Sequence, residues 1–211
     1  MKSLCGQMFK YAIDLEIVTT NFASLVEMPP KEESEIHKPF TEEELQVLWN
    51  NTDDIGAVIA LILCYTGMRP TELLTIKTAD VHLEERYMRG GMKTAAGKNR
   101  IIPIAEKIYP LIKSIYNAEK DYFDIIDYNS KTVEDYRRLK VHLWKKSPIL
   151  NTLPLKHLPH DGRHTCATLL DNAEVPLKLR QLILGHSSAD ITNKVYTHKT
   201  TEQLIAAINR I

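Results

Sequence analysis

Little in this sequence ties it to a membrane, an oxidising compartment or a repeat architecture. Its three cysteines, Cys5, Cys64 and Cys166, share no CxxC spacing, and two of them lie in apolar helical surroundings. That argues against a disulfide scaffold or a cysteine zinc site and reads as reduced core thiols in a cytoplasmic protein. The longest apolar run, residues 55–65, is too short to cross a bilayer, which takes about 20 apolar residues. The N-terminus lacks the basic-then-apolar pattern of a secretory signal, and there is no internal repeat or low-complexity segment. Net charge is also missing: 27 Lys and Arg balance 27 Asp and Glu. A neutral total argues against bulk positive charge as the means of holding nucleic acid, so the distribution matters. Arg86, Arg89, Lys93, Lys98 and Arg100 occupy one acid-free stretch, and Arg137, Arg138, Lys140, Lys145 and Lys146 another. The offsetting acids gather in residues 27–44 and 119–135. One face meeting phosphates would produce this pattern; on charge alone, an ordinary solvated surface explains it equally well.

What is present reads as an α+β protein, mainly helical, with a small three-stranded antiparallel sheet. Residues 3–18 form a helix with Leu4, Met8, Tyr11, Ala12 and Leu15 on one apolar face, expected to have had its partner upstream. Pro29 and Pro30 stop the chain's regular structure, and residues 31–39 are charged and poor in apolar side chains, as in a linker. Thr41 and Glu44 make a capping box for a helix that buries Leu45, Leu48 and Trp49. Residues 55–65 are apolar on all sides and form the central core helix. Gly67 ends it and Pro70 starts the next, so Arg69 is held in the turn between them; its plain reading is a pair with Glu72 or a cap on carbonyls. Short β-like runs follow at Val81 and Leu83, at 87–89 and at 100–104, with Lys93 just before the second turn. Helices are expected over 105–119 and 133–146, the second with Tyr136, Leu139, Leu143 and Trp144 inward. The acidic, aromatic stretch 121–130 between them reads as a loop and has no functional reading.

The stretch 157–198 is the centre of the chain. His160 and Arg163 are three apart, so a helix beginning near His160 sets both on one face. Gly185 stops the apolar helix 177–184 and leaves His186 in the corner. Tyr196 ends a short polar segment, where its phenol is exposed.

Together with Thr66-Gly67-Met68-Arg69 and the Lys93 hairpin, these residues resemble the tyrosine recombinase family, the phage and transposon integrases. The resemblance runs over residues 40–198. It implies the tyrosine-recombinase catalytic fold, and site-specific cleavage and rejoining of DNA through a 3′-phosphotyrosyl intermediate, without metal, ATP or other cofactor. Tyr196 would be the nucleophile. Arg69 and Arg163 would neutralise the phosphate, since two planar guanidiniums bind its non-bridging oxygens as charge builds. His160 would be the base or proton relay, His186 a further donor to the phosphate, and Lys93 the acid for the leaving 5′ oxygen. Double-stranded DNA is the implied partner, with Arg86, Arg89, Lys98, Arg100, Arg137, Arg138, Lys140, Lys145 and Lys146 as candidate contacts. The family works as a homo-tetramer on DNA; here the expected joining element is the C-terminal helix 201–211, and the free chain is expected to be a monomer. Residues 1–30 would be the C-terminal remnant of a helical core-binding domain, 31–39 a linker and 40–211 the catalytic domain. Gly162 departs from the family, where a larger apolar residue is usual. Glycine in a first helical turn costs up to about 1 kcal/mol against alanine and puts local rigidity in doubt.

Three other readings compete. The spacing His157, His160, His164 is compatible with zinc, but Arg163 sits inside it and no HExxH is present. In that light, His157 reads as a loop residue and His164 as a helix residue making a structural hydrogen bond. A type IB topoisomerase shares the chemistry; the Gly-His pair and the compact length favour a recombinase. A DNA-binding module that has lost catalysis is opposed by the presence of all six catalytic-type residues.

Overall fold

The computed structural model describes residues 2–27, 38–91, 99–121, 123, 144–185 and 201–211. The expectations for Lys93, Lys98, Arg137, Arg138, Lys140, His186 and Tyr196, and for nearly all of 121–143, lie outside these residues. The chain divides into two compact units, 1–36 and 37–211.

In the first unit, α1 (Lys2–Asp14) and α2 (Phe22–Leu25) are joined by an edge-on contact of Phe9 and Phe22, ring centroids 5.9 Å apart. Asn21 Nδ2 donates to the Gly6 carbonyl over 3.2 Å, and Lys2 Nζ to that of Val26 over 2.6 Å. The first helix is shorter than the sequence pattern predicts, because Glu16 adopts a positive φ of 58° and closes the turn. Its apolar residues Leu4, Met8 and Tyr11, and Leu15 just beyond it, are all exposed.

The second unit is built around α4 (Ile55–Thr66), in which every residue after Ile55 is buried. Asp54 caps it, accepting from Ala57 N at 2.8 Å and from Ser147 Oγ at 2.6 Å. Ahead of it, α3 (Glu42–Trp49) opens with the expected capping box: Glu44 N donates to Thr41 Oγ1 and Thr41 N to Glu44 Oε2. Glu44 has a further role that the sequence did not show. Its carboxylate lies 3.1 Å from His157 Nε2, while His157 Nδ1 lies 3.1 Å from the Lys38 carbonyl and the ring stacks on Phe40 at 3.8 Å. His157 lies in a loop, as expected, and is a buried clamp between the start of this unit, α3 and the segment leading into the central motif.

After α4, Gly67 takes the left-handed conformation (φ 62°) and α5 (Pro70–Thr75) begins with proline at its first position, where the missing N–H costs nothing. A three-stranded antiparallel sheet follows, β1 (Val81–His82), β2 (Tyr87–Gly90) and β3 (Arg100–Pro103), in that order, with Met88 opposite Ile102 and Gly90 opposite Arg100. The next helix, α6 (Tyr109–Ile115), is shorter than expected and preceded by a 3-10 turn at Glu106–Ile108. Pro110 is the cause: its ring would clash with the carbonyl four residues back if the α-helix ran in from Ala105. A short helix that the sequence reading omitted, α7 (Pro148–Thr152), is capped by Ser147 Oγ, which accepts from Leu150 N at 3.0 Å.

The central motif forms α8 (Asp161–Asn172) and α9 (Leu177–Leu184), the latter ended by Gly185 at φ 65°. Helix α8 lies directly against α4. A Cβ at Gly162 would stand 2.7 Å from Leu63 Cβ and 3.3 Å from Cys64 N. Glycine here permits the two helices to touch, so the predicted loss of rigidity is corrected to a tight contact. Finally, α10 (Thr201–Ile208) buries Leu204, Ala207 and Ile208 within the same unit, against β3 and α9, and Asn209 Oδ1 accepts from Glu106 N at 2.8 Å. No helix among the described residues is long and apolar enough to cross a membrane.

Candidate active site

Arg163 follows Gly162, so the close contact of α8 with α4 delivers its side chain to the end of α4. The guanidinium is buried and donates from Nη1 to the Gly67 carbonyl at 2.6 Å and from Nη2 to the Leu184 carbonyl. Both carbonyls belong to helix C-termini closed by left-handed glycines. The negative ends of α4 and α9 thus converge on this cation, where the helix dipoles favour positive charge. Both glycines are also required sterically. A Cβ at Gly67 would be 2.6 Å from Leu184 Cδ2, and one at Gly185 2.7 Å from Arg100 Cδ.

Arg69 stands at the N-cap of α5. Its Nη1 donates to Glu72 Oε1 at 2.8 Å and its backbone N–H to Glu72 Oε2 at 2.9 Å, so one carboxylate fixes both ends of the residue. Glu72 Oε2 also accepts from Arg100 Nη1 at 2.9 Å, and Arg100 Nε donates to the Ile183 carbonyl at 3.1 Å. Three guanidiniums thus cluster around one carboxylate. Burial, then repulsion from Arg69 and Arg100, draws the Arg163 guanidinium down to about 10. It remains a cation at neutral pH. Burial by itself would raise the Glu72 carboxyl, but the Arg100 charge and the bonds from Arg69 hold it below its ordinary value of 4.5. The excess of positive charge, held in fixed directions, suits an anion whose charge grows during reaction.

Glu72 gives a pH prediction. Its folded-state carboxyl titrates below its unfolded value, so its stabilisation is fully present above 4.5 and is lost as pH falls through the depressed value. Thermal melts of native protein and Glu72→Gln from about pH 7 down to about pH 3 should show a gap in Tm that is widest at the neutral end and closes in acid. A gap independent of pH would show that the charge on Glu72 is not what stabilises the cluster.

His160 is the residue before α8 and is half-buried; its carbonyl accepts from Arg163 N at 3.1 Å, and its ring stands edge-on to that of His164 at 5.3 Å. The structure thus brings Arg69, Arg163 and the His160 position to one end of α4 and α8. Lys93, His186 and Tyr196 are outside the described residues. Among the candidate DNA contacts, Arg89, Lys145 and Lys146 are exposed, and Arg86 lies near Asn209 and Glu106. Arg100 is 7% exposed, and the expectation that it faces DNA from the surface is corrected: an arginine there is drawn inward by the buried Glu72 carboxylate. Sequence reading missed the part played by Glu72 and Arg100 in the cluster. The pairing of Arg69 with Glu72 was visible in their spacing; that of Glu72 with Arg100, 28 residues on, was not.

With that geometry in place, relatives can be compared. The Phage integrase family matches residues 37–203. Tyrosine recombinase XerA of Pyrococcus horikoshii is 30% identical over 190 residues, covering 86% of this chain; the chain spans 64% of that relative's length. The Tn1549 transposon integrase in complex with circular intermediate DNA superposes with a TM-score of 0.67 at 25% identity, over 97% of this chain and 76% of that one. A lambda integrase tetramer bound to a Holliday junction shares the fold, with a TM-score of 0.64 at 18% identity over 89% of this chain and 57% of that one. A left-handed glycine before Arg69, a helix start at His160 with Arg163 in its first turn, a glycine stop before His186 and a family match covering most of the chain agree: this chain belongs to the phage integrase family and carries the tyrosine recombinase catalytic fold.

Proposed function

We propose that this protein is a site-specific DNA recombinase that cuts and rejoins double-stranded DNA through a 3′-phosphotyrosyl intermediate, without metal or ATP. The observation that carries the reading is the Arg69 and Arg163 pair, held rigidly at one end of α4 and α8 with more positive than negative charge. In the proposed step, the Tyr196 phenolic oxygen attacks phosphorus, forming an O–P bond as the bond to the 5′ oxygen breaks. His160 takes the phenol proton, Lys93 protonates the departing oxygen, and His186 with the two arginines holds the non-bridging oxygens. The phenol, with its pKa near 10, needs such a base at neutral pH. The phosphotyrosyl ester preserves the energy of the broken bond, so a second DNA end reseals the strand.

Arg86, Arg89, Lys98, Arg137, Arg138, Lys140, Lys145 and Lys146 are the proposed DNA contacts of this reading. Residues 1–30 are taken as the end of a helical clamp domain and 31–39 as its linker. Assembly as a homo-tetramer on DNA is proposed by likeness to the lambda integrase tetramer, with α10 as the exchanged element. In this chain α10 packs on its own unit, which supports a monomer when free.

The test is a denaturing gel of the protein with DNA in EDTA. Native protein should give a slow-migrating, nuclease-sensitive adduct, and Tyr196→Phe none while still binding DNA. DNA binding with no adduct from the native protein, even on a nicked duplex, would replace this reading with a binding-only one.

A further inference from the structure

We propose that Arg100 is a positioning residue for DNA cleavage, setting the direction of Arg69 through Glu72; this rests on the recombinase reading of the same site. Four observations support it. Arg100 is buried, and its Nη1 bond to Glu72 Oε2 holds the carboxylate whose other oxygen receives the Arg69 guanidinium. Its Nε bond to the Ile183 carbonyl is next in the chain to the Leu184 carbonyl that receives Arg163. The backbone of Gly185 rests on the Arg100 stem so closely that a Cβ there would stand 2.7 Å from Cδ and 3.1 Å from Nε, and His186 is the next residue. Lastly, Arg100 opens β3 and pairs with Gly90 across the sheet.

One planar side chain therefore joins the start of α5, the end of α9 and the hairpin. Arginine suits the post because its fork makes bonds in two fixed directions, whereas lysine offers one flexible point charge. Its Nη2 is buried and meets no acceptor among the described residues. Loss of Arg100 removes one of the bonds that fix the Glu72 carboxylate, and the Arg69 guanidinium bonded to that carboxylate loses the bracing. Small displacements of a group aimed at a reacting atom are costly, about a hundredfold for an ångström.

A merely structural arginine would slow every substrate alike, and that difference sets the experiment. Nicked duplexes are made from sequences that the native protein captures covalently out of a randomised DNA pool, with either a phosphodiester or a methylphosphonate at the cleaved position. The methylphosphonate centre is neutral and has less need of correctly aimed guanidiniums. Arg100→Met should slow adduct formation on the phosphodiester about a hundredfold and on the methylphosphonate far less. Arg69→Ala should show the same substrate preference, and the double variant should add little, as expected when two residues act through one network. Should Arg100→Met fail to melt cooperatively, Arg100→Lys is read in its place: it keeps a charge near Glu72 but loses the fixed direction of the fork, so the same substrate preference is expected in smaller measure. Equal slowing on both substrates, or none, overturns the positioning role while leaving the recombinase reading intact. Absence of any adduct from the native protein overturns the recombinase reading and this proposal with it.

Discussion

Arg163→Ala is expected to lower single-turnover adduct formation by about 100- to 1000-fold while DNA binding changes much less. The interactions lost are those that strengthen as charge accumulates on the non-bridging oxygens, and charge–charge contacts along a duplex survive without them. The structure adds a second effect. Arg163 also satisfies the carbonyls of Gly67 and Leu184, and leaving buried acceptors unpaired costs about 1–3 kcal/mol each. The variant should therefore unfold at a lower temperature, and cleavage must be compared at equal folded fraction. Arg163→Lys separates the two effects, because it retains the charge yet lacks the two-pronged fork that bonds both carbonyls and the phosphate in fixed directions. Matched losses in cleavage and binding, after correction for folding, would remove Arg163 from the chemistry.

Gly162→Ala is the second large effect, and its sign is informative. Helix propensity favours alanine by about 1 kcal/mol, and a solvent-facing glycine would be improved by the change. Here the added methyl would meet Leu63 Cβ at 2.7 Å and the backbone of Leu63 and Cys64 at 3.3 Å. Neither neighbour is the loose end of a long side chain, so α4 and α8 must separate. Overpacking of this kind costs about 1–3 kcal/mol, and it outweighs propensity. Urea unfolding should show a lower midpoint with little change in slope, and cleavage should fall because Arg163 is the next residue. A stabilised variant would mean that the helices have room to part at no cost.

These two residues also show how much the sequence disclosed. The start of α8, the glycine stops at Gly67 and Gly185 and the antiparallel strands were legible because each is a local matter of caps, turns and alternation. The turn position of Arg69 and the first-turn position of Arg163 were legible because the motifs that carry them are short. What the sequence concealed lies in pairings distant along the chain. Gly162 looked like a weakness because its partner, Leu63, is far away in α4. His157 lies in a loop, as its sequence suggested, but its burial was hidden because Glu44 and Phe40, which cover it, belong to the other end of the unit. Arg100 looked like a surface base because its partner, Glu72, precedes the whole sheet. Charge counted along a chain cannot distinguish an arginine facing solvent from one facing a buried carboxylate. The 3-10 turn before α6 and the short α7 were available from Pro110 and from Ser147-Pro148, as Pro restricts helices locally.

The two C-terminal carbonyls that grip Arg163, and the carboxylate that grips Arg69, have a consequence for the entropy of binding. A free arginine carries about 2 kcal/mol of rotamer entropy, which a flexible site surrenders when it takes up its ligand. In this protein both guanidiniums are immobilised when the chain folds. Capture of an anion between them should therefore show, in calorimetry, a small unfavourable ordering entropy from these side chains, with what ordering there is coming from the DNA and from the groups that close over it.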